Sequence, residues 1–200
     1  CGIIGVIQAN WNPHPRVVNG TNAKIEEFPF LVSLRQYNRH ICGASIIDES
    51  WVLTAAHCLD DSASVYTVQF ASTYLDPKSS NIVDVEAFYR HEMYNPSDKF
   101  INDIALVKLS SPIVNKIFEW KVKLPINDAS FSTGTPAVLT GWGRNETEGE
   151  TMRLLQKVDL KIYTSSDCSK LHGQTIYPTN ICAGVDGGLK GQCGDKFFTL

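Results

Sequence analysis

The sequence has no C-x-x-C pair, no run of five or six Lys or Arg, and no long apolar stretch. Each absence removes a class of protein. Without C-x-x-C, thioredoxin-like redox chemistry and most zinc ribbons are excluded. Eighteen basic residues stand against twenty-one acidic ones, a net charge of −3, and with no basic cluster there is no electrostatic footprint for nucleic acid. The longest near-apolar run, Gly2 to Ile7, is far short of the roughly 18 residues that span a bilayer, so no membrane partner is expected. There is no internal repeat and no low-complexity tract. At 43% hydrophobic and 20% charged, the 200 residues match the globular average and exclude disorder and collagen-like repeats.

Six cysteines, at 1, 42, 58, 168, 182 and 193, are too sparse for a small disulfide scaffold. A zinc site is open only through His40 and Cys42 with His57 and Cys58. Neighbours such as His57 and Cys58 rarely both reach one tetrahedral ion, so no metal is expected. Disulfides at local spacings, 42 with 58 and 168 with 182, fit better and imply an oxidising compartment. The first nine residues look like the tail of a signal h-region, with Ala9 the last residue before cleavage and a polar, Pro-rich 10–16 after it. Sequons at Asn19 and Asn145 are compatible with the same secreted, extracellular location.

Short strands separated by turn residues dominate the hydrophobic pattern. They are expected at Phe30–Leu34, Ile41–Ile47, Trp51–Thr54, Val65–Phe70, Ile82–Phe88, Ile104–Leu109 and Pro136–Thr140. Lys157 to Ile162 alternates strictly, the mark of a strand with one buried face. Helix is confined to a piece around Ser166 to Leu171, with Ser165 or Ser166 as N-cap. Many short strands with almost no helix define an all-β sandwich or barrel. A boundary between two halves fits the polar stretch from Asn115 to Phe131.

The chemistry is concentrated at Trp51-Val52-Leu53-Thr54-Ala55-Ala56-His57-Cys58, where a histidine adjoins a cysteine able to staple its loop. Asn102-Asp103-Ile104-Ala105-Leu106 adds an acid just ahead of an apolar strand. A carboxylate that accepts the Nδ1 proton of histidine fixes its tautomer and stabilises the imidazolium formed in acyl transfer. Arg16-Val17-Val18-Asn19-Gly20, Cys42-Gly43-Ala44-Ser45, Thr140-Gly141-Trp142-Gly143 and Asn180-Ile181-Cys182-Ala183-Gly184 complete the set. Together these segments resemble the trypsin/chymotrypsin family of serine endopeptidases, from about Arg16 to Asp195.

The resemblance implies two six-stranded antiparallel β-barrels, the first over 17–120 and a partial second over 121–200. Residues 1–9 are then the signal tail and 10–16 an activation propeptide. It makes His57 the general base, Asp103 its orienting partner, and Cys42–Cys58 and Cys168–Cys182 the family's disulfides. Cleavage is expected between Arg16 and Val17, by a trypsin-like activator, with the freed amine pairing to Asp195. Gly194 falls at the oxyanion loop. Gly191 falls at the base of the specificity pocket, where an aspartate would select Lys or Arg. The implied partners are polypeptide substrates or protein inhibitors, the implied state a monomer, and no metal or organic cofactor is required.

Two departures stand out. The sequence after Cys193 runs Gly194-Asp195-Lys196-Phe197-Phe198, which puts Lys196 where the family has its serine nucleophile if one residue is deleted and Phe197 there if none is, and Ser169 is the last serine in the chain. A protonated ammonium is not a nucleophile, and its amide adduct would not hydrolyse readily. The family's second barrel continues past the serine, through the strand that forms one pocket wall and the partner of Cys193. The expectation is therefore an endopeptidase family member that is inactive as written. The alternatives are a secreted binding or adaptor homologue and a fragment of an active protease.

Overall fold

The computed structural model describes residues 20–98, 101–114, 120–124, 132–143, 153–173 and 175–184. The expectations at 1–9, 10–16, Arg16, Val17, Asn19, Asn145, Gly191, Cys193, Gly194, Asp195 and Lys196 lie outside the described residues.

The strands are β1 (Thr21–Asn22), β2 (Leu31–Gln36), β3 (Arg39–Asp48), β4 (Trp51–Thr54), β5 (Tyr66–Gln69), β6 (Ile82–Arg90) and β7 (Ala105–Leu109). Beyond them come β8 (Pro136–Gly141), β9 (Gln156–Tyr163), the helix α1 (Ser165–His172) and β10 (Cys182–Gly184). Six strands close on themselves as an antiparallel barrel in the order β2-β3-β4-β7-β6-β5. Closure leaves no open edge in this half.

Alternation decides what fills the barrel. Val32 and Leu34 of β2, Ala44 and Ile46 of β3, Val52, Val68, Val83, Val85, Val107 and Leu109 all point inward and form one buried cluster. Each fully buried Val or Leu side chain contributes about 1.5–3 kcal/mol relative to leaving it in water. Trp120 joins the same cluster, and Val122 N–H donates to Ile46 O at 2.9 Å, so the first barrel's packing extends past residue 120.

The β2–β3 hairpin turns on Tyr37 and Asn38, both with positive φ (48° and 64°). Two left-handed central residues form the I′-type turn whose twist matches the flanking strands. The turn is tighter than the sequence suggested, so β3 begins at Arg39 and takes in His40.

In the second half β9 is the centre. β8 runs along one edge of it, while β1 and β10 share the other, at its start and end. Ala137, Leu139, Leu160 and Ile162 form its buried face. The placing of β1 crosses the 17–120 division, because Thr21 and Asn22 pair with Lys157 and Gln156 of the second sheet. A third buried cluster joins the halves, with Leu31 of β2 packed with Ala23, Ile25, Trp142 and Leu155. Trp142 Nε1–H donates to Thr73 O at 3.0 Å across the same seam. Helix α1 is capped by Thr164, whose Oγ1 accepts the Asp167 amide at 3.1 Å, rather than by Ser165 or Ser166. Gly173 ends it in the left-handed conformation (φ 64°), where a residue without Cβ carries no penalty.

Candidate active site

Strand β4 ends at Thr54, and a short 3-10 turn, Ala56–Cys58, follows at once. Ala55 and Ala56 are buried, and their small side chains let this turn lie against the barrel. Two further contacts fix it. Cys58 is disulfide-bonded to Cys42 of β3, with Cα atoms 6.4 Å apart. Thr54 Oγ1 donates to Gly43 O at 3.1 Å, one residue from the same cysteine. His57 thus projects from a turn held on both sides.

Asp103 reaches the same place from β7. It precedes that strand by two residues, after Asn102 at a left-handed φ of 56°. Its carboxylate takes two hydrogen bonds from one residue: His57 N–H at 2.9 Å to Oδ1, and His57 Nδ1 at 2.5 Å to Oδ2. The His57 side chain is 9% exposed and that of Asp103 0%. A buried carboxylate in this position holds the proton on Nδ1 and leaves Nε2 as the basic ring nitrogen, the arrangement a general base requires.

Two further ring side chains have shifted titrations. Tyr94 packs against the barrel core, and its phenol is pushed up to about 12, first by burial and then by the negative charge of Asp103. His40 lies on the seam between the halves. Its Nδ1 is 2.8 Å from Ser33 Oγ, and its ring meets Trp142 edge-on at 5.8 Å. Burial, followed by the nearby Arg35 guanidinium, lowers it to about 4 and keeps it neutral near neutral pH.

The Cys42 and Cys58 sulfurs and a ring nitrogen of His57 lie within 4.8 Å of one another, the spacing of a metal cluster. Both sulfurs are spent in the disulfide, so neither offers the thiolate that zinc requires. Cys168 in α1 is likewise bonded to Cys182 in β10. Among the sequence-derived candidates, the structure brings together His57, Asp103, Cys42 and Cys58. Gly191, Gly194, Asp195 and Lys196 fall outside the described residues. Sequence reasoning missed the Ser33–His40 pair, Tyr94 and the left-handed Asn102. Only Asn102 carried a local signal, since Asn is among the few residues that adopt positive φ readily.

A closed six-stranded antiparallel barrel, a second antiparallel sheet packed beside it, and a buried His–Asp pair at the barrel's rim define the two-barrel, trypsin-like class. The family model described as Trypsin matches residues 17–195. The chain is 38% identical over 175 residues to a trypsin of Sarcophaga bullata, covering 84% of this chain and 67% of that protein. It is 35% identical over 173 residues to trypsin alpha-4 of Lucilia cuprina, covering 84% of this chain and 66% of that one. Human heparin binding protein is similar in structure, with a TM-score of 0.75 at 26% identity over 91% of this chain and 78% of that one. The chain belongs to the trypsin family, and it spans about two thirds of the length of these two curated relatives.

Proposed function

We propose that this chain is a secreted trypsin-type endopeptidase scaffold that keeps the base of the catalytic triad and lacks its nucleophile. The observation that carries the reading is a contrast within one chain. His57 Nδ1 sits 2.5 Å from a buried Asp103 carboxylate, whereas the sequence after Gly194-Asp195 continues with Lys196. In the family's mechanism the base takes a proton from a serine hydroxyl as that oxygen attacks the scissile carbonyl. On this reading His57 is the base and Asp103 its orienting partner, and the sequence carries Lys196 where the family has the attacking serine. Removing the nucleophile in a related triad enzyme costs roughly 10⁶ in kcat.

The rest of the reading follows from the family. An activating trypsin-like protease cuts between Arg16 and Val17, and the new amine pairs with Asp195. Gly194 lies in the oxyanion loop, and Gly191 at the pocket base disfavours strict Lys/Arg selection. Polypeptides or protein inhibitors are the partners, the chain is monomeric, and it works without a cofactor. The two disulfides among the described residues support an oxidising, extracellular setting. Among the described residues no helix is long and apolar enough to cross a membrane.

A second reading, a binding or adaptor module, is favoured by the likeness to a protein named for binding heparin. Polyanion binding is not proposed, because the net charge of −3 does not favour such a ligand. A polypeptide partner fits better. Hydrolysis of tryptic and chymotryptic esters, after cleavage at Arg16 and removal of the activator, separates the readings. No turnover above buffer is expected. Turnover that disappears in His57→Ala would show that an attacking hydroxyl exists and that the chain is an active protease or a piece of one.

A further inference from the structure

Among the described residues the Asp103 carboxylate accepts two hydrogen bonds, both from His57, and its side chain has no exposure at all. A carboxylate in that position has no slack, so the backbone must aim it correctly from the outset. The residue before it, Asn102, has φ 56°. Its carbonyl accepts Ile104 N–H at 2.8 Å, closing the chain tightly around Asp103. Its side-chain amide donates to Met93 O at 3.0 Å, and His91 N–H donates to Ile104 O at 2.9 Å. The segment on either side of Asp103 is thus tied to the stretch from His91 to Met93.

We infer that Asn102 is a positioning residue for the His57–Asp103 pair, acting through its left-handed backbone. Returning its φ to the ordinary value near −60° would turn the chain by about 120° just ahead of Asp103. The carboxylate would then be carried away from both His57 donors. A side chain with Cβ adopts positive φ at a cost, and Asn bears that cost better than most residues. The inference rests on reading His57 and Asp103 as the family's base and orienting acid.

The test observes the pair itself and does not use turnover. The proton in the 2.5 Å His57–Asp103 hydrogen bond should resonate well downfield of the amides in a proton NMR spectrum. The His57 amide, bonded to Asp103 Oδ1, should exchange slowly with solvent. Asn102→Gly and Asn102→Ala both delete the bond to Met93 O, and only the glycine accepts positive φ freely. In Asn102→Gly the downfield resonance and slow His57 exchange should persist. In Asn102→Ala the resonance should vanish and His57 exchange should quicken by on the order of tenfold, the equivalent of left-handed strain on a residue with Cβ. Amides in β2 and β3 should be unaffected, which a general loss of stability would not allow. Wild-type behaviour in Asn102→Ala would overturn the inference, as would loss of both signals in Asn102→Gly. Should Asn102→Ala fail to fold, loss of both signals in Asn102→Gly would still overturn the inference. A missing resonance in the unsubstituted chain would overturn the His57–Asp103 reading, and this inference with it.

Discussion

Thr54 and Ala105 face each other across β4 and β7, and this register brings His57 to Asp103. The strands are antiparallel, so the chain leaving Thr54 and the chain entering Ala105 lie at the same end of the barrel. His57 follows Thr54 by three residues and Asp103 precedes Ala105 by two. Slipping the register by one residue would turn every inward Val and Leu of these strands outward, so the core that stabilises the barrel also fixes the site.

Asp103→Ala should destabilise the fold as well as the site. It leaves the His57 amide and Nδ1–H buried with no acceptor, which costs about 3 kcal/mol. For a domain of this size that corresponds to a fall in Tm of about 6–12 °C. Differential scanning calorimetry measures it, and an unchanged Tm would mean that water replaces the carboxylate without cost.

His40 should make stability fall on the acid side. Its folded value is about 4, against about 6.5 in the unfolded chain. Between those values the unfolded chain takes up a proton that the native fold refuses. The contribution is therefore complete above pH 6.5 and is lost as the pH falls towards 4, by up to about 3 kcal/mol. Urea denaturation at pH 7 and pH 4.5 should show a smaller loss for His40→Gln than for the unsubstituted chain. Equal losses would contradict the assignment.

Much of this was legible in the sequence, and the misses have identifiable causes. The strict alternation of Lys157 to Ile162 placed β9, and Trp51 to Cys58 pointed to His57. The strands Thr21–Asn22 and Cys182–Gly184 are too short to show any period, and they exist only because β9 offers them an edge. The β2–β3 turn carries no glycine, so only Asn38 hinted at positive φ and nothing in Tyr37 announced a second left-handed residue. Thr164, at the boundary between β9 and α1, was overlooked as a cap because two serines follow it. Arg35 in a barrel strand reads as solvent-facing, yet it is buried.

That arginine is 2% exposed. Its Nη2 donates to Asn38 O at 2.8 Å, while buried Nη1 has no hydrogen-bond partner among the described residues. Burial lowers its pKa, and the more distant Asp76 only partly offsets this. An imperfectly compensated buried charge can be replaced by an apolar side chain of similar length at little or no cost. Arg35→Met should leave stability within about 1 kcal/mol of the original or raise it. A loss above about 2 kcal/mol would show that the guanidinium contributes more than its bond to Asn38.

The Cys42–Cys58 bond closes a loop with a sequence separation of 16 and carries the turn that bears His57. The double variant Cys42→Ala, Cys58→Ala should lose about 3 kcal/mol. The low-field His57–Asp103 proton should broaden before the far-UV circular dichroism changes, because the turn loosens before the barrel does. Coincident loss of both signals would show that the disulfide serves the whole barrel rather than the site.

The central claim is that His57 and Asp103 stand ready beside no nucleophile, and a serine-directed phosphonate tests it most directly. The chain is cleaved at Arg16, freed of activator, incubated with the reagent and weighed intact by mass spectrometry. The account predicts the unmodified mass in both the unsubstituted chain and His57→Ala. A single stoichiometric adduct in the unsubstituted chain, absent from His57→Ala, would contradict it.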